Sequence, residues 1–122
     1  MSKEQFVSNL LEITVEDKSA SIDVEWIGKS IDRDPGKFIT PILASVLDRS
    51  VSGQKEIILD FRGLSYLNSS TITPIIKVLE RAKRGNIRIT ILYDKALKWQ
   101  ELNFSALEIF NTEDKRITIE GR

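Results

Sequence analysis

The sequence predicts an α/β fold in which helices pack on a mixed β-sheet. Two features of the 122-residue chain indicate it. Two segments of alternating apolar and polar residues lie near the start and predict a β-hairpin. Beyond them, segments of helical periodicity alternate with short apolar runs, as in strand–helix–strand units. The predicted order of elements is β-β-α-β-α-β-α-β.

The length of the chain indicates one domain. Residues 1–9 are mostly polar, so we expect a short N-terminal arm there, followed by a single domain over residues 10–122. Hydrophobic residues make up 41% of the chain and charged residues 30%, which is typical of a soluble globular protein. Neither a signal peptide nor a membrane span is recognisable, and a cytoplasmic location is the default expectation.

The hairpin is predicted from period-two patterns on both sides of a turn. Apolar residues occupy every second position in residues 11–15 and again in residues 20–26. Polar residues fill the positions between them, which is the pattern of half-buried strands. Residues 17–19 (Asp-Lys-Ser) form the expected turn.

A loop and the first helix follow the hairpin. Residues 28–36 (GKSIDRDPG) have the composition of a loop, and the periodicity after them predicts a helix over about residues 37–50. Its apolar positions recur on one side, as expected for a helix that packs on a sheet. These positions are Phe38, Ile39, Ile42, Leu43, Val46 and Leu47.

The central part of the chain predicts a buried strand followed by a helix. The run of residues 57–59, closed by Asp60, is typical of a strand covered on both faces. A turn at residues 62–63 leads to the polar cluster of residues 68–71 (Asn-Ser-Ser-Thr), whose residue types favour helix N-caps. The helix then runs to Gly85. Its predicted buried stripe is Ile72, Ile75, Ile76, Leu79 and Ala82.

The C-terminal part predicts a strand, a broken helix and a last short strand. Residues 86–94 alternate like a strand, and residues 117–119 (Ile-Thr-Ile) form the last one. Between them, residues 96–110 predict a helix interrupted near Asn103. Its expected apolar positions are Leu97, Trp99, Leu102, Leu107, Ile109 and Phe110.

Composition argues against an enzyme. The chain has no His and no Cys, which removes the commonest general base and the commonest metal ligands. Neither GxxxxGK[ST] nor GxGxxG occurs, and we expect no cofactor. Asp60 and Asp94 could hold Mg²⁺ at adjacent strand ends, or each could cap a turn. The turn-capping alternative is the simpler one. The 18 basic and 18 acidic residues cancel, so nothing favours nucleic acid or an anionic membrane.

The cluster of residues 68–71 allows two interpretations. In one, a residue caps the helix and the remaining hydroxyls are solvated. In the other, the cluster is a switch, because a phosphoryl group here would meet free amides and the positive end of the helix dipole. It would also add about −1.5 to −2 charges to a neutral surface.

Residues 58–82 (ILDFRGLSYLNSSTITPIIKVLERA) resemble the central strand, loop and helix of STAS domains of the anti-sigma-factor-antagonist type. The resemblance extends over about residues 10–119 and implies a STAS-like mixed sheet. In that family the first serine of an Asp-Ser-Ser-Gly turn is phosphorylated, and its position matches Ser69, with Ser70 and then Thr71 as the next candidates. Asn68 stands where the family usually has Asp, and Thr71 where it has Gly.

The resemblance is greatest to small bacterial partner-switching regulators with an Asn-Ser/Thr-Ser turn. It implies a serine kinase or anti-sigma-type regulator, a cognate phosphatase, and an output protein that is an anti-sigma factor or a diguanylate cyclase. The alternative is a STAS-type sensor that binds a nucleotide or small anion at the same helix start. The positions that match the family's docking face are Tyr66, Asn68, Thr73, Lys77 and, in the loop of residues 31–37, Asp34.

Overall fold

The computed structural model describes residues 2–122, which form seven strands, three α-helices and one 3₁₀ helix. The strands are β1 (Ser2–Ser8), β2 (Leu11–Asp17), β3 (Ser21–Ser30), β4 (Glu56–Asp60), β5 (Leu64–Leu67), β6 (Ile89–Tyr93) and β7 (Ile117–Gly121). The helices are α1 (Gly36–Gly53), α2 (Ser69–Arg84) and α3 (Lys98–Ser105), and the 3₁₀ helix spans Ala106–Phe110. The predicted elements are present, and β1 and β5 are additional.

All seven strands belong to one mixed sheet with the order β1-β2-β3-β4-β6-β7. The first three strands are antiparallel, and β4, β6 and β7 continue the sheet in parallel. β5 lies off this path and pairs with the end of β3, beyond the point where β4 stops. The consecutive strands β4 and β5 therefore both pair with β3, one after the other along its length. β5 leads directly into α2.

The expected N-terminal arm is wrong, because residues 2–8 form the edge strand β1. This strand pairs with β2 along its whole length, from Ser2 opposite Asp17 to Ser8 opposite Leu11. Phe6 packs against the core, and Glu4 forms an ion pair with Arg49 of α1 at 2.7 Å. An edge strand with one core-facing aromatic residue shows little apolar alternation, so its sequence resembles that of a polar arm.

The core lies on one face of the sheet, between the strands and the helices. Every second residue of β4 and β6 joins it, including Ile57, Leu59, Ile89 and Ile91, all 0% exposed. Ile58 and Thr90, which lie between them, point to the opposite face and are only partly buried, whereas Leu92 on that face is 5% exposed. The expectation that β4 is covered on both faces is therefore wrong. A run of three apolar residues cannot distinguish a covered second face from an open one.

The buried faces of the helices agree only in part with the predicted apolar stripes. Ile75, Leu79 and Ala82 of α2 are buried as predicted, whereas Ile76 and Ile72 lie partly buried at the edge of the stripe and Val78 joins the core. None of the helices in residues 2–122 is long and apolar enough to cross a membrane.

The last helical segment differs most from its prediction. The predicted interruption near Asn103 is present, since α3 ends at Ser105, two residues further on, and the 3₁₀ helix begins at Ala106. Leu102 and Ile109 are 72% and 78% exposed, although the sequence predicted them to be buried. In their place α3 buries Phe104, which stacks on Phe61 and Tyr93, and the polar Gln100. The change of helix type after Ser105 alters the angular spacing of side chains, so the apolar stripe of α3 does not continue to Ile109.

Candidate functional site

The start of α2 is held by Asn68, as the cluster of residues 68–71 predicted. Asn68 is the N-cap in an extended conformation, and its Oδ1 accepts hydrogen bonds from the amide of Thr71 at 3.1 Å and from the hydroxyl of Thr71 at 2.7 Å. One side-chain oxygen thereby satisfies a helix amide that has no partner within the helix. Asn is about as effective as Asp at an N-cap position.

Thr71 is a structural residue of this turn. Its side chain is 0% exposed, and its Oγ1 lies 2.7 Å from the hydroxyl of Ser30, which is also buried. A modifying enzyme could reach this hydroxyl only after the start of α2 had opened. Thr71, the third candidate, is therefore the least accessible of the three hydroxyls to a modifying enzyme.

The turn is bonded to the end of β3 and to the loop after it, and this loop is bonded in turn to the hairpin of β1 and β2. The amide of Asn68 donates to the carbonyl of Ser30 at 3.0 Å, and its side-chain Nδ2 donates to the carbonyl of Asp32 at 2.8 Å. The carboxylate of Asp32 accepts bonds from the hydroxyl of Ser8 at 3.3 Å and from Asn9 Nδ2 at 2.6 Å. Sequence reasoning placed the loop of residues 31–37, which includes Asp32, near the site. It missed Ser30 and the hydrogen bonds that the loop forms, because no local pattern records contacts between distant segments.

Ser69 and Ser70 are the hydroxyls of the cluster that remain exposed. They occupy the first two positions of α2, where backbone amides have no acceptor within the helix. The first turn contains no acidic residue, whereas the last turn carries Arg81, Lys83 and Arg84. The first turn therefore presents the positive end of the helix dipole without an anion to balance it, and a negative charge there is favourable.

The predicted docking residues surround this helix start. Thr73 and Lys77 are exposed one turn apart on α2, and Tyr66 of β5 is 50% exposed. Asp34 is exposed in the loop whose backbone Asn68 contacts. Asn68 is only partly exposed, and its side chain is already hydrogen-bonded in the helix cap and to the loop. It therefore holds this surface in place and leaves little of its side chain for a partner to contact.

A shallow apolar groove lies beside these residues, between α1 and α2. It has a volume of about 110 Å³, and its walls include Leu47, Pro74 and Val78, with Lys77 at its border. Arg81 lies at the same border and approaches Asp48 of α1 at 3.5 Å, where both side chains are well exposed. Lys77 forms no ion pair with any residue in the described range 2–122. This lysine is therefore available to an acidic group.

Asp60 and Asp94 behave as turn residues. Asp60 Oδ1 accepts the backbone amide of Arg62 at 3.0 Å, and Oδ2 pairs with the guanidinium of Arg62 at 2.8 Å. Partial burial acts to raise the pKa of the Asp60 carboxyl, but the hydrogen bonds and charge of Arg62 bring that pKa below its ordinary value. Asp94 accepts the amide of Ala96 at 2.9 Å. Within residues 2–122, no three potential ligands cluster as a metal site would require.

Comparison with known proteins establishes the fold. The structure is similar to apo-SiaC from Pseudomonas aeruginosa, with a TM-score of 0.64 and 20% identity over 99% of this chain and 100% of that one. It is also similar to an uncharacterised protein of the DUF3478 family from Shewanella loihica, described as having a SpoIIAA-like fold. The TM-score there is 0.54, with 18% identity over 96% of this chain and 92% of that one. No family model and no curated protein matches the sequence. The predicted fold class, a STAS-like mixed α/β sheet, is confirmed.

Proposed function

We propose that this chain is a non-catalytic signalling regulator of the partner-switching type, in which phosphorylation of Ser69 controls which protein binds the start of α2. The observation that carries the proposal is the division of the hydroxyl cluster. Thr71 is buried and bonded, whereas Ser69 and Ser70 are exposed on the same rigid turn. The resemblance of residues 58–82 to STAS domains supports Ser69 over Ser70.

The structure supports a mechanism that changes surface charge without unfolding. A phosphoryl group on Ser69 would add about −1.5 to −2 charges at a helix start that contains no acidic residue. The free amides and the helix dipole would favour this charge. The cap formed by Asn68 and Thr71 uses neither serine hydroxyl, so it would persist. A partner packed against a neutral surface would then face a desolvated charge, which is unfavourable.

The proposed partners are a serine kinase or anti-sigma-type regulator, a cognate phosphatase, and an output protein. The alternative, a sensor for a nucleotide or small anion at the same helix start, has less support. The structure contains a larger cleft of about 520 Å³, but Glu56, Thr90 and Glu120 line it and none of residues 68–70 does. The exposed groups around Ser69 form a protein-docking surface more readily than an enclosing site.

The decisive experiment is mapping of the modification on protein made in its own host. Intact-mass measurement is expected to show a phosphorylated fraction, and peptide mapping should place the group on Ser69. The fraction should disappear in Ser69→Ala and persist in the matched variant Ser70→Ala. Modification confined to residues other than Ser69 would refute control through Ser69.

Binding measurements test the consequence of the modification. Ser69→Asp is expected to weaken binding of the partner that recognises the unmodified surface, whereas Ser69→Ala should retain it. Calorimetry with the kinase-type partner compares both variants with the wild type. Three equal affinities would contradict control through Ser69.

The unpaired lysine of the docking surface provides a second binding test. If Lys77 meets an acidic patch, Lys77→Glu should slow association, most strongly at low salt. Lys83→Glu reverses a charge at the far end of the same helix and serves as the matched control. Equal association rates for the two variants, with unchanged melting curves, would place the partner elsewhere.

A further inference from the structure

The two edges of the sheet differ in how far their backbone groups are covered by other parts of the chain. At the β7 edge, the preceding segment of the chain folds back along the strand. The amide of Thr112 donates to the carbonyl of Ile117 at 3.1 Å, and the amide of Ile119 donates to Asn111 Oδ1 at 2.8 Å. At the opposite edge, β1 pairs only with β2 among residues 2–122. Native proteins usually cover or interrupt exposed edges, because unpaired strand groups recruit other strands.

The geometry of the hairpin formed by β1 and β2 determines which backbone groups of β1 point outward. Ser8 pairs with Leu11, so the connection is a two-residue turn, and Asn9 has the positive φ of 54° that such turns use. A turn of this kind places a hydrogen-bonded pair next to it, and antiparallel pairs then alternate. The amides and carbonyls of Lys3, Gln5 and Val7 consequently face away from β2 and lack a partner strand.

We propose that β1 is a self-association edge that pairs antiparallel with β1 of a second copy of this chain, around a two-fold axis at Gln5. In this register Gln5 lies opposite its own counterpart and Lys3 lies opposite Val7. All three outward-facing residues then exchange backbone hydrogen bonds across the axis. The two sheets become one continuous sheet, with both helix layers on the same side.

The side chains of β1 are compatible with this register. Glu4 lies opposite Phe6, so no like charges meet, and the aliphatic stem of Lys3 covers Val7, which is 64% exposed in the single chain. Sliding the pairing by two positions toward the start of β1 would place Glu4 opposite Glu4, and like charges directly opposite are destabilising. The charge pattern thus favours pairing about Gln5 over that alternative.

A groove along the same edge also fits a second copy. It lies between β1 and α1, has a volume of about 400 Å³, and is lined by Phe6, Phe38, Pro41 and Ile42, with the Glu4–Arg49 ion pair among its walls. Because β1 is the outermost strand, the outer side of this groove is open. The partner's β1 would extend its floor and restrict access of water to Phe6.

The first test removes the outward-facing backbone amide of Gln5. Its control variant loses the same side-chain contact but keeps that amide. Gln5→Pro deletes the backbone N–H, which an edge strand tolerates when that group faces away from the neighbouring strand. Gln5→Ala is the matched control, because both variants lose the side-chain bond from Gln5 to Glu12 and Ala keeps the amide. Sedimentation of the full chain up to about 1 mM would detect even a Kd near 1 mM. We expect twice the 13.9 kDa mass for the wild type and Gln5→Ala, and a monomer for Gln5→Pro.

Cysteine cross-linking gives an independent test, because the chain contains no Cys. Paired Cα atoms at position 5 would lie about 5.5 Å apart, within the range that a disulfide spans. Gln5→Cys should therefore form a covalent dimer on mild oxidation. Lys3→Cys is the control, because its counterpart would lie about four residues away along the strand, or about 13 Å.

The results of the two tests distinguish pairing through β1 from a monomer and from a dimer formed through another surface. A monomer at every concentration, without a Gln5→Cys cross-link, would overturn it, and so would a dimer that fails to cross-link there and is unchanged in Gln5→Pro. If Gln5→Pro fails to fold by circular dichroism, the cross-linking comparison alone decides. Ser69→Asp should leave the dimer intact, so failure of this proposal does not depend on the phosphorylation proposal.

Discussion

The hydroxyl oxygens of Ser30 and Thr71 lie 2.7 Å apart inside the protein, although 41 positions separate the two residues in the sequence. Ser30 is 2% exposed and Thr71 0%, so water cannot replace this contact. Thr71 also donates to Asn68, which caps the helix. The pair joins the end of β3 to the start of α2 and keeps the neighbouring Ser69 on a defined surface.

Loss of the buried hydroxyl should weaken the fold. Thr71→Val keeps the shape but leaves the Ser30 hydroxyl without its partner and removes one donor from Asn68. We expect a loss of about 1–3 kcal/mol in the free energy of unfolding, measured by denaturant titration. Ser70→Ala, at the exposed neighbour, should change it by less than about 0.5 kcal/mol. A double-mutant cycle with Ser30→Ala should show coupling, and additive effects would disprove the contact.

A negative charge at Ser69 should stabilise the isolated protein. Ser69→Asp places an anion at the start of α2, where the first turn has none. The expected gain is about 0.3–1 kcal/mol at low ionic strength, decreasing with added salt. Ser69→Asn is the control of equal size without charge. Thermal melting at two salt concentrations tests this, and a destabilised Ser69→Asp would mean that phosphorylation distorts the turn.

The buried Gln100 should be difficult to replace. Its Nε2 donates to the carbonyls of Phe61 and Leu64 at 2.9 Å each, and its Oε1 accepts the amide of Asp94 at 2.8 Å. Gln100→Leu removes the acceptor of the Asp94 amide and one donor from each of the two carbonyls, and we expect a loss of about 2–4 kcal/mol in the free energy of unfolding. Lys98→Leu, at an exposed position of the same helix, should have little effect. Equal denaturation midpoints for the two variants would contradict this role.

Adjacent isoleucines of β4 should differ in their contribution. Ile57 is 0% exposed in the core, whereas Ile58 lies on the open face and is partly buried. Ile57→Ala is expected to cost about 2–5 kcal/mol, because it leaves a cavity. For Ile58→Ala we expect less than half of that loss, since water can reach the site. Equal losses in denaturant titration would show that a second layer covers the open face.

The Asp60–Arg62 pair should contribute stability that depends on pH. The pKa of Asp60 in the folded protein lies below its ordinary value of about 3.9. The contribution is therefore complete above that value and is lost as the pH falls through the folded-state pKa. The stability difference between wild type and Asp60→Asn should be larger at pH 7 than at about pH 3. Arg62→Gln should reduce this pH dependence, because it removes the guanidinium but keeps the backbone amide that also bonds Asp60. A difference between wild type and Asp60→Asn that is constant with pH would exclude the contribution.

The sequence predicted those structural features that depend only on residues close together in the chain. The strand and helix of the central segment, a helix cap within residues 68–71 and the end of α2 near Gly85 were all predicted, because period, capping and turn chemistry are local properties. The same reasoning failed for β1 and β5. An edge strand with one core-facing aromatic residue and a four-residue strand provide too few alternations to identify.

The sequence by itself determined the fold class, the position of the hydroxyl cluster at a helix start, and the absence of His and Cys chemistry. Only the tertiary structure decided which hydroxyl is free. Ser69 and Thr71 are two residues apart and chemically alike, but the turn of α2 directs Thr71 toward Ser30 and leaves Ser69 exposed. The tertiary structure also determined that the sheet face carrying Ile58 is open and that the side chain of Leu102 is exposed. Burial depends on which distant segments pack against a side chain, and no local period encodes those segments.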